Sequence, residues 1–251
     1  MATQRRALRE PSRASLVERD VDAVTLSTAG ARDAGDAQVR FRPQTRIGDA
    51  RPYYELAKRM FDIAVASLAM FGALPFIIVI AALIKLDSKG PVFFSQERLG
   101  KGTKRFKMLK FRSMYVDRVL SPEELAARNE ATGPLFKIKN DPRITRVGRF
   151  LRKTSLDELP QLINVLRGEM SIVGPRPPLP RELAGFESIQ RQRLQVKPGL
   201  AGLWQVSGRS FLTFDQMVAL DLEYVARRSF HFDLLLILRT IPAVLLGRGA
   251  Y

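Results

Sequence analysis

Asp157 and Glu158 stand side by side in a stretch that is otherwise basic and apolar. Arg143, Arg146, Arg149, Arg152 and Lys153 precede them, and Arg176 follows in Ser171-Ile172-Val173-Gly174-Pro175-Arg176-Pro177-Pro178. Two carboxylates among cations suit the handling of phosphate with a metal ion. A second reading needs no chemistry. Ser155 to Glu158 has the Ser-x-x-Glu form of a capping box, and Asp157 could itself be an N-cap with Pro160 at N3. Spacing alone leaves both open, and they are compatible, because a helix N-terminus also favours an anion placed against it.

Composition narrows the chemistry. The chain of 251 residues has no cysteine and a single histidine, His231, so thiolate and histidine-cluster metal sites are excluded. His231 lies in Phe-His-Phe-Asp and reads as packing between aromatics. Any metal must be held by oxygen, which favours magnesium or manganese. With 41 Lys and Arg against 25 Asp and Glu, the formal charge of +16 calls for an anionic partner: nucleic acid, an acidic membrane surface or a phosphorylated substrate.

The elements that must position these residues begin after a tail. Residues 1–51 hold ten Arg and seven acids with few large apolar residues, a composition that does not offset the entropy of ordering. No apolar h-region occurs before residue 60, so no signal peptide is expected. Residues 52–251 form the working domain. Ile63 to Ile84 runs 22 residues without a charge, long enough to cross a bilayer core of about 30 Å as a helix. Gly72 and Pro75 predict a break near its middle. Lys58 and Arg59 before it, and Lys85, Lys89, Arg98 and Lys101 after it, would hold both flanks on the cytoplasmic side. The expected solution is a re-entrant helix-break-helix over 63–84, placed ahead of a straight span, with a buried core helix behind both.

Residues 91–98 and 105–112 flank Gly100-Lys101-Gly102-Thr103 as a small hairpin in which apolar and basic positions alternate. Lys107, Lys110 and Arg112 there belong either to a solvated strand face or to a phosphate-facing one. A short helix is expected from Ser121 to about Asn129, stopped by Gly133-Pro134, and further helices over 146–153 and 159–166. The proline-rich stretch after Val173 excludes regular structure and would present Arg176 in a fixed place. An amphipathic helix over 181–196 with Arg191 and Arg193, a Gly-rich loop over 197–209 with the only tryptophan, and a helix over 215–228 follow. The apolar segment 232–246 contains Asp233, Arg239 and Pro242 and suits the membrane interface. The fold class expected is α+β and helix-rich: a monotopic membrane protein with a hairpin and amphipathic interfacial helices.

These motifs together resemble the bacterial polyprenyl-phosphate phosphoglycosyl transferases of the monotopic class, the sugar transferases that initiate exopolysaccharide and O-antigen assembly. The resemblance rests on Lys58-Arg59-x-x-Asp62, Ser88-x-Gly90-Pro91, Gln96-x-Arg98-x-Gly100, Lys110-Phe111-Arg112-Ser113-Met114, Asp141-Pro142-Arg143, Ser155 through Gln161, Ser171 through Pro177, and Lys197-Pro198-Gly199. The stretch 115–134 and Leu203-Trp204-Gln205-Val206 look like the galactose- or glucose-transferring branch; no motif distinguishes the two sugars.

The resemblance implies the following. Asp157 is the nucleophile that takes sugar phosphate from a UDP-hexose and passes it to undecaprenyl phosphate. Glu158 ligates Mg²⁺, and Lys110, Arg112, Arg152 and Arg176 bind substrate. The enzyme then belongs at the cytoplasmic face of the bacterial inner membrane, with membrane lipid but no nucleic acid as partner, and self-association left open. Two departures from the family pattern stand out: Leu74 replaces the serine that precedes the break proline in smaller members, and larger members carry a multi-span domain where this chain has its polar tail. Two other classes remain for comparison. A non-catalytic basic protein on anionic lipid accounts for the charge but not for the acidic pair. A multi-span transferase needs several apolar runs, and the sequence has one candidate.

Overall fold

The computed structural model describes residues 52–130, 138, 140–208 and 212–245. The expected tail, the Gly133-Pro134 stop and Arg209 lie outside them. In chain order come α1 (Pro52–Asp87), β1 (Phe93–Leu99), β2 (Arg105–Phe111), α2 (Pro122–Ala127), α3 (Arg146–Thr154), α4 (Gln161–Arg167), β3 (Ser171–Val173), β4 (Gly199–Ala201), α5 (Leu203–Ser207), α6 (Phe214–Arg227) and α7 (Phe230–Leu245). The fold is helix-rich with two small sheets, the antiparallel pair β1–β2 and the parallel pair β3–β4.

α1 joins the charged segment and the apolar run in one helix of 36 residues, about 54 Å long at 1.5 Å per residue. The expected interruption does not end it: the chain stays helical through Gly72 and Pro75. Pro75 removes one backbone donor, and the apolar helix formers on either side carry the helix past that loss. α1 is the one helix among the described residues long and apolar enough to cross a membrane. Leu68, Phe71, Leu74, Phe76, Ile78 and Val79 are bare.

One stripe of α1 packs inward, through Asp62, Ala66, Ile80 and Ile84. Ala66 belongs to the main core with Met108, Leu162, Val165 and Tyr224, whereas Ile80 and Ile84 meet Phe111 and Leu151 in a second cluster. Both ends of α1 are tied to the same body. Arg59 donates to the carbonyls of Val165 and Leu166 at 2.6 and 2.8 Å. Asp87 Oδ2 accepts from the Val147 amide at 3.1 Å.

Residues 181–196 correct the sequence reading. Instead of one amphipathic helix they form two short 3-10 turns, Pro180–Gly185 and Gln190–Gln195. Arg193 is buried there against Asp221 of α6. α7 is the expected apolar terminal helix. Leu236 enters the main core, while Leu234, Leu238 and Ile241 are exposed. Asp233 on its inner side accepts from Tyr54 and Lys58 of α1, each at 2.8 Å. His231 is exposed, so it does not pack as expected.

Candidate active site

The acidic pair sits where two helices meet. α3 starts at Thr145, whose hydroxyl accepts from the Gly148 amide at 2.8 Å, and it lies tight on the chain beyond β2. A Cβ on Gly148 would fall 2.1 Å from the Ser113 carbonyl oxygen. At its other end Ser155 takes the left-handed conformation with φ of 57°, a strained choice for a residue with a side chain. The chain then makes a 3-10 turn over Leu156–Glu158 and enters α4 after Pro160.

This geometry settles the capping question. Ser155 makes no side-chain cap, and the N-cap position of α4 is held by Pro160. The carboxylates of Asp157 and Glu158 are therefore not committed to backbone amides at a helix start. They face β2 instead. Lys110 Nζ stands 2.6 Å from Glu158 Oε1 and 3.5 Å from Asp157 Oδ2. The Asp157 side chain is 8% exposed, against 30% for Glu158. Burial pushes the Asp157 carboxyl above its ordinary value, with the Lys110 ammonium pulling the other way and the Glu158 charge adding to the rise. Burial also opposes the charge on Lys110, but the two carboxylates outweigh it and hold the ammonium above the usual lysine range. Arg152, on the last turn of α3, stands close enough to favour a charged Asp157.

Beside this cluster opens a cavity of about 110 Å³, room for several waters or a phosphate group. Glu158, Lys110 and Gln161 line one side; Arg98, Arg176 and Pro177 line another; Gly199, Leu200, Trp204 and Gln205 close it. Asp157 lies behind Lys110 rather than in the wall. Arg176 is held by Glu182, whose Oε2 accepts from Nη1 at 3.1 Å. The floor depends on two glycines in close approach: a Cβ on Gly199 would meet the Gly174 nitrogen at 2.0 Å.

Of the residues singled out from sequence, Lys110, Asp157, Glu158, Arg152 and Arg176 converge here. Arg112, expected to bind substrate, does not join them. Its guanidinium is buried and donates to the carbonyls of Lys89, Ser88 and Ile84, at and just beyond the end of α1. A group so engaged has its donors facing backbone, not ligand. Arg98, Gln161 and Trp204 were missed. For Arg98 the signal was available: in a hairpin, Arg98 and Gln96 share the face that Lys110 and Met108 occupy across the register. Arg98 Nε is buried without a hydrogen-bond partner. Burial, then the neighbouring Arg176, bring the Arg98 guanidinium down to about 10.

Among the described residues no three acidic or histidine side chains form a metal cage. The oxygens of Glu158 and Asp157 are the donors at hand, and they match Mg²⁺, which is commonly held by one or two carboxylates with phosphate and water completing the shell. Lys110 occupies the place between them where a second cation would neutralise the acids.

The family model for bacterial sugar transferases matches residues 53–247. A galactosyl transferase, CpsE, of Streptococcus agalactiae is 46% identical over 78% of this chain and 43% of its own length. The exopolysaccharide production protein ExoY of Rhizobium meliloti is 46% identical over 81% of this chain and 92% of its own. An undecaprenyl-phosphate galactose phosphotransferase of Salmonella typhimurium is 42% identical over 77% of this chain and 41% of its own. The chain thus spans nearly all of ExoY and less than half of the other two. The match takes in α1, the hairpin, the acidic pair and the Arg176 loop together, and the chain belongs to the bacterial sugar transferase family.

Proposed function

We propose that this transferase moves a sugar 1-phosphate from a UDP-hexose to undecaprenyl phosphate through a covalent adduct on Asp157. The observation that carries the reading is the adjacent acids bridged by Lys110, Asp157 buried and Glu158 lining a cavity that two arginines also line. An Asp157 oxygen attacks the β-phosphorus, the bond from that phosphorus to the α-phosphate oxygen breaks, and UMP leaves. A phosphate oxygen of undecaprenyl phosphate then attacks the same phosphorus, freeing the carboxylate and forming undecaprenyl-diphosphate-hexose. An acyl phosphate is reactive enough for that second transfer.

Each residue has a part. Lys110 turns from the acids toward the incoming diphosphate, which opens Asp157 to the cavity. Arg176 and Arg98 take phosphate oxygens, Arg176 from a guanidinium already oriented by Glu182. Arg152 favours the ionised form of Asp157. Glu158 is the residue to hold Mg²⁺, which when bound would neutralise charge on the diphosphate and ease departure of UMP. A passive basic protein on anionic lipid has no use for a carboxylate buried beside a second one and bridged to it by a lysine.

α1 supports a place at the membrane. Its ends both contact the catalytic body, at Arg59 and at Asp87, while its outer face is bare apolar surface. A helix crossing a bilayer would carry one end away from that body. We therefore read α1 as held at both ends against the cytoplasmic face, its apolar outer side sunk into that leaflet, with α7 lying at the interface.

The deciding test is intact-protein mass spectrometry after mixing the protein with UDP-galactose or UDP-glucose and Mg²⁺ in the absence of lipid acceptor. A hexose phosphate adduct on a peptide containing Asp157 is expected, with neither adduct nor UMP from Asp157→Asn. Normal UMP release by that variant would refute the nucleophile.

A further inference from the structure

The loop that carries Arg176 is poor in hydrogen-bond donors. Pro175, Pro177 and Pro178 have no N–H, so residue 176 supplies the single backbone donor between Gly174 and Leu179. That residue is gripped from inside the protein. Its carbonyl accepts from Arg193 Nη2 at 3.0 Å. Arg193 Nη2 also donates to Asp221 Oδ2. Asp221 lies on α6 and Arg193 in the turn Gln190–Gln195, so three separate segments meet at one peptide unit.

As a stabiliser the Arg193–Asp221 pair is poor. Both side chains are at most 2% exposed, and Arg193 Nε and Asp221 Oδ1 are left without a partner. Apolar residues of similar volume often do as well or better in such a place. What the pair does that apolar residues cannot is hold the carbonyl of residue 176, through a guanidinium that Asp221 orients. The rest of the loop is fixed similarly: Arg98 Nη1 donates to the Pro177 carbonyl at 3.0 Å and the Leu99 amide to that of Pro178 at 3.0 Å.

We propose that Asp221 and Arg193 are positioning residues that act through the backbone of residue 176 to set where the Arg176 guanidinium meets the substrate phosphate. The inference rests on the reading of Arg176 as a phosphate contact. Misplacing such a group by about 1 Å can cost roughly a hundredfold in rate.

The test is a double-mutant cycle in detergent-solubilised protein with UDP-galactose or UDP-glucose, Mg²⁺ and undecaprenyl phosphate. The pair is replaced as a unit, Arg193→Met with Asp221→Leu, so that no charge is stranded. It is replaced once alone and once together with Arg176→Ala. Alone, the replacement should lower kcat/KM by about tenfold or more, chiefly through KM for the UDP-sugar. With Arg176→Ala present it should change kcat/KM less than about twofold, because the group being positioned is already gone. Equal losses in the two backgrounds would overturn the proposal and leave the pair a structural one. If Arg176→Ala alone leaves kcat/KM unchanged, the reading of Arg176 fails first and the proposal with it. Should the double replacement not fold, Arg193→Lys in the same two backgrounds separates the same outcomes.

Discussion

Replacing Arg112 by lysine separates a helix-end clamp from a phosphate ligand. In the structure its two terminal nitrogens serve three carbonyls: Nη1 that of Lys89, and Nη2 those of Ser88 at 2.8 Å and Ile84 at 3.3 Å. The Ile84 carbonyl also accepts from the Ser88 amide at 3.2 Å, whereas Ser88 and Lys89 lie past the last turn, where carbonyls run out of intrahelical donors. A lysine keeps the charge but is a compact donor without the fork, so about two of the three carbonyls lose their bond. At about 1.5–2 kcal/mol for each bond to a charged donor, the loss is roughly 3–4 kcal/mol. For a domain of about 200 residues that lowers Tm by roughly 6–16 °C. Thermal unfolding of detergent-solubilised protein, followed by near-UV circular dichroism, reads this directly. Initial rates at low temperature, where the variant stays folded, should give a KM for UDP-sugar within about twofold of the parent. A Tm unchanged within about 2 °C, together with a tenfold rise in KM, would refute the clamp and restore Arg112 to the substrate.

The membrane geometry and the buried acid of α6 give two further tests. The chain has no cysteine, so single cysteines at Ala57→Cys and Lys89→Cys can be labelled cleanly; in intact bacteria both should resist an impermeant maleimide, and labelling of one alone would mean that α1 spans. Burial, with Arg193 working against it, lifts the Asp221 carboxyl from 3.8 to about 6. A carboxyl that binds its proton more tightly when folded adds stability below its unfolded value and loses that contribution as pH rises toward the folded one. Asp221→Asn should therefore remove a decline of roughly 3 kcal/mol between about pH 4 and pH 6; denaturant midpoints that run parallel for the two proteins across that window would contradict the assignment.

What the sequence made legible was local. The uncharged run of α1, the alternation and glycines of the hairpin, and the Gly168 end of α4 all depend on residues a few positions apart. So does the adjacency of Asp157 and Glu158. What it hid depends on distant partners. The capping motif at Ser155 was sound as a pattern, but α3 ends in a left-handed residue and turns the acids toward Lys110, which lies 47 positions away from Asp157. Arg193 looked like the polar face of a helix until Asp221, 28 positions later, drew it inside.

The arginines show why charge counting overstates the ligand set. In a chain of +16 every cation invites assignment to an anion, yet Arg59, Arg112 and Arg193 all donate to carbonyls of the protein itself. A carbonyl buried with its donor does not exchange it readily, since losing the bond leaves a polar group unsatisfied. Lys110 and Arg176 differ: their partners are Glu158 and Glu182, carboxylates at or beside an open cavity. A phosphate entering there offers the same kind of acceptor as the carboxylate it displaces, so the exchange strands no group. That difference in partner, more than position in any motif, marks which cations of this basic chain are free to meet a substrate.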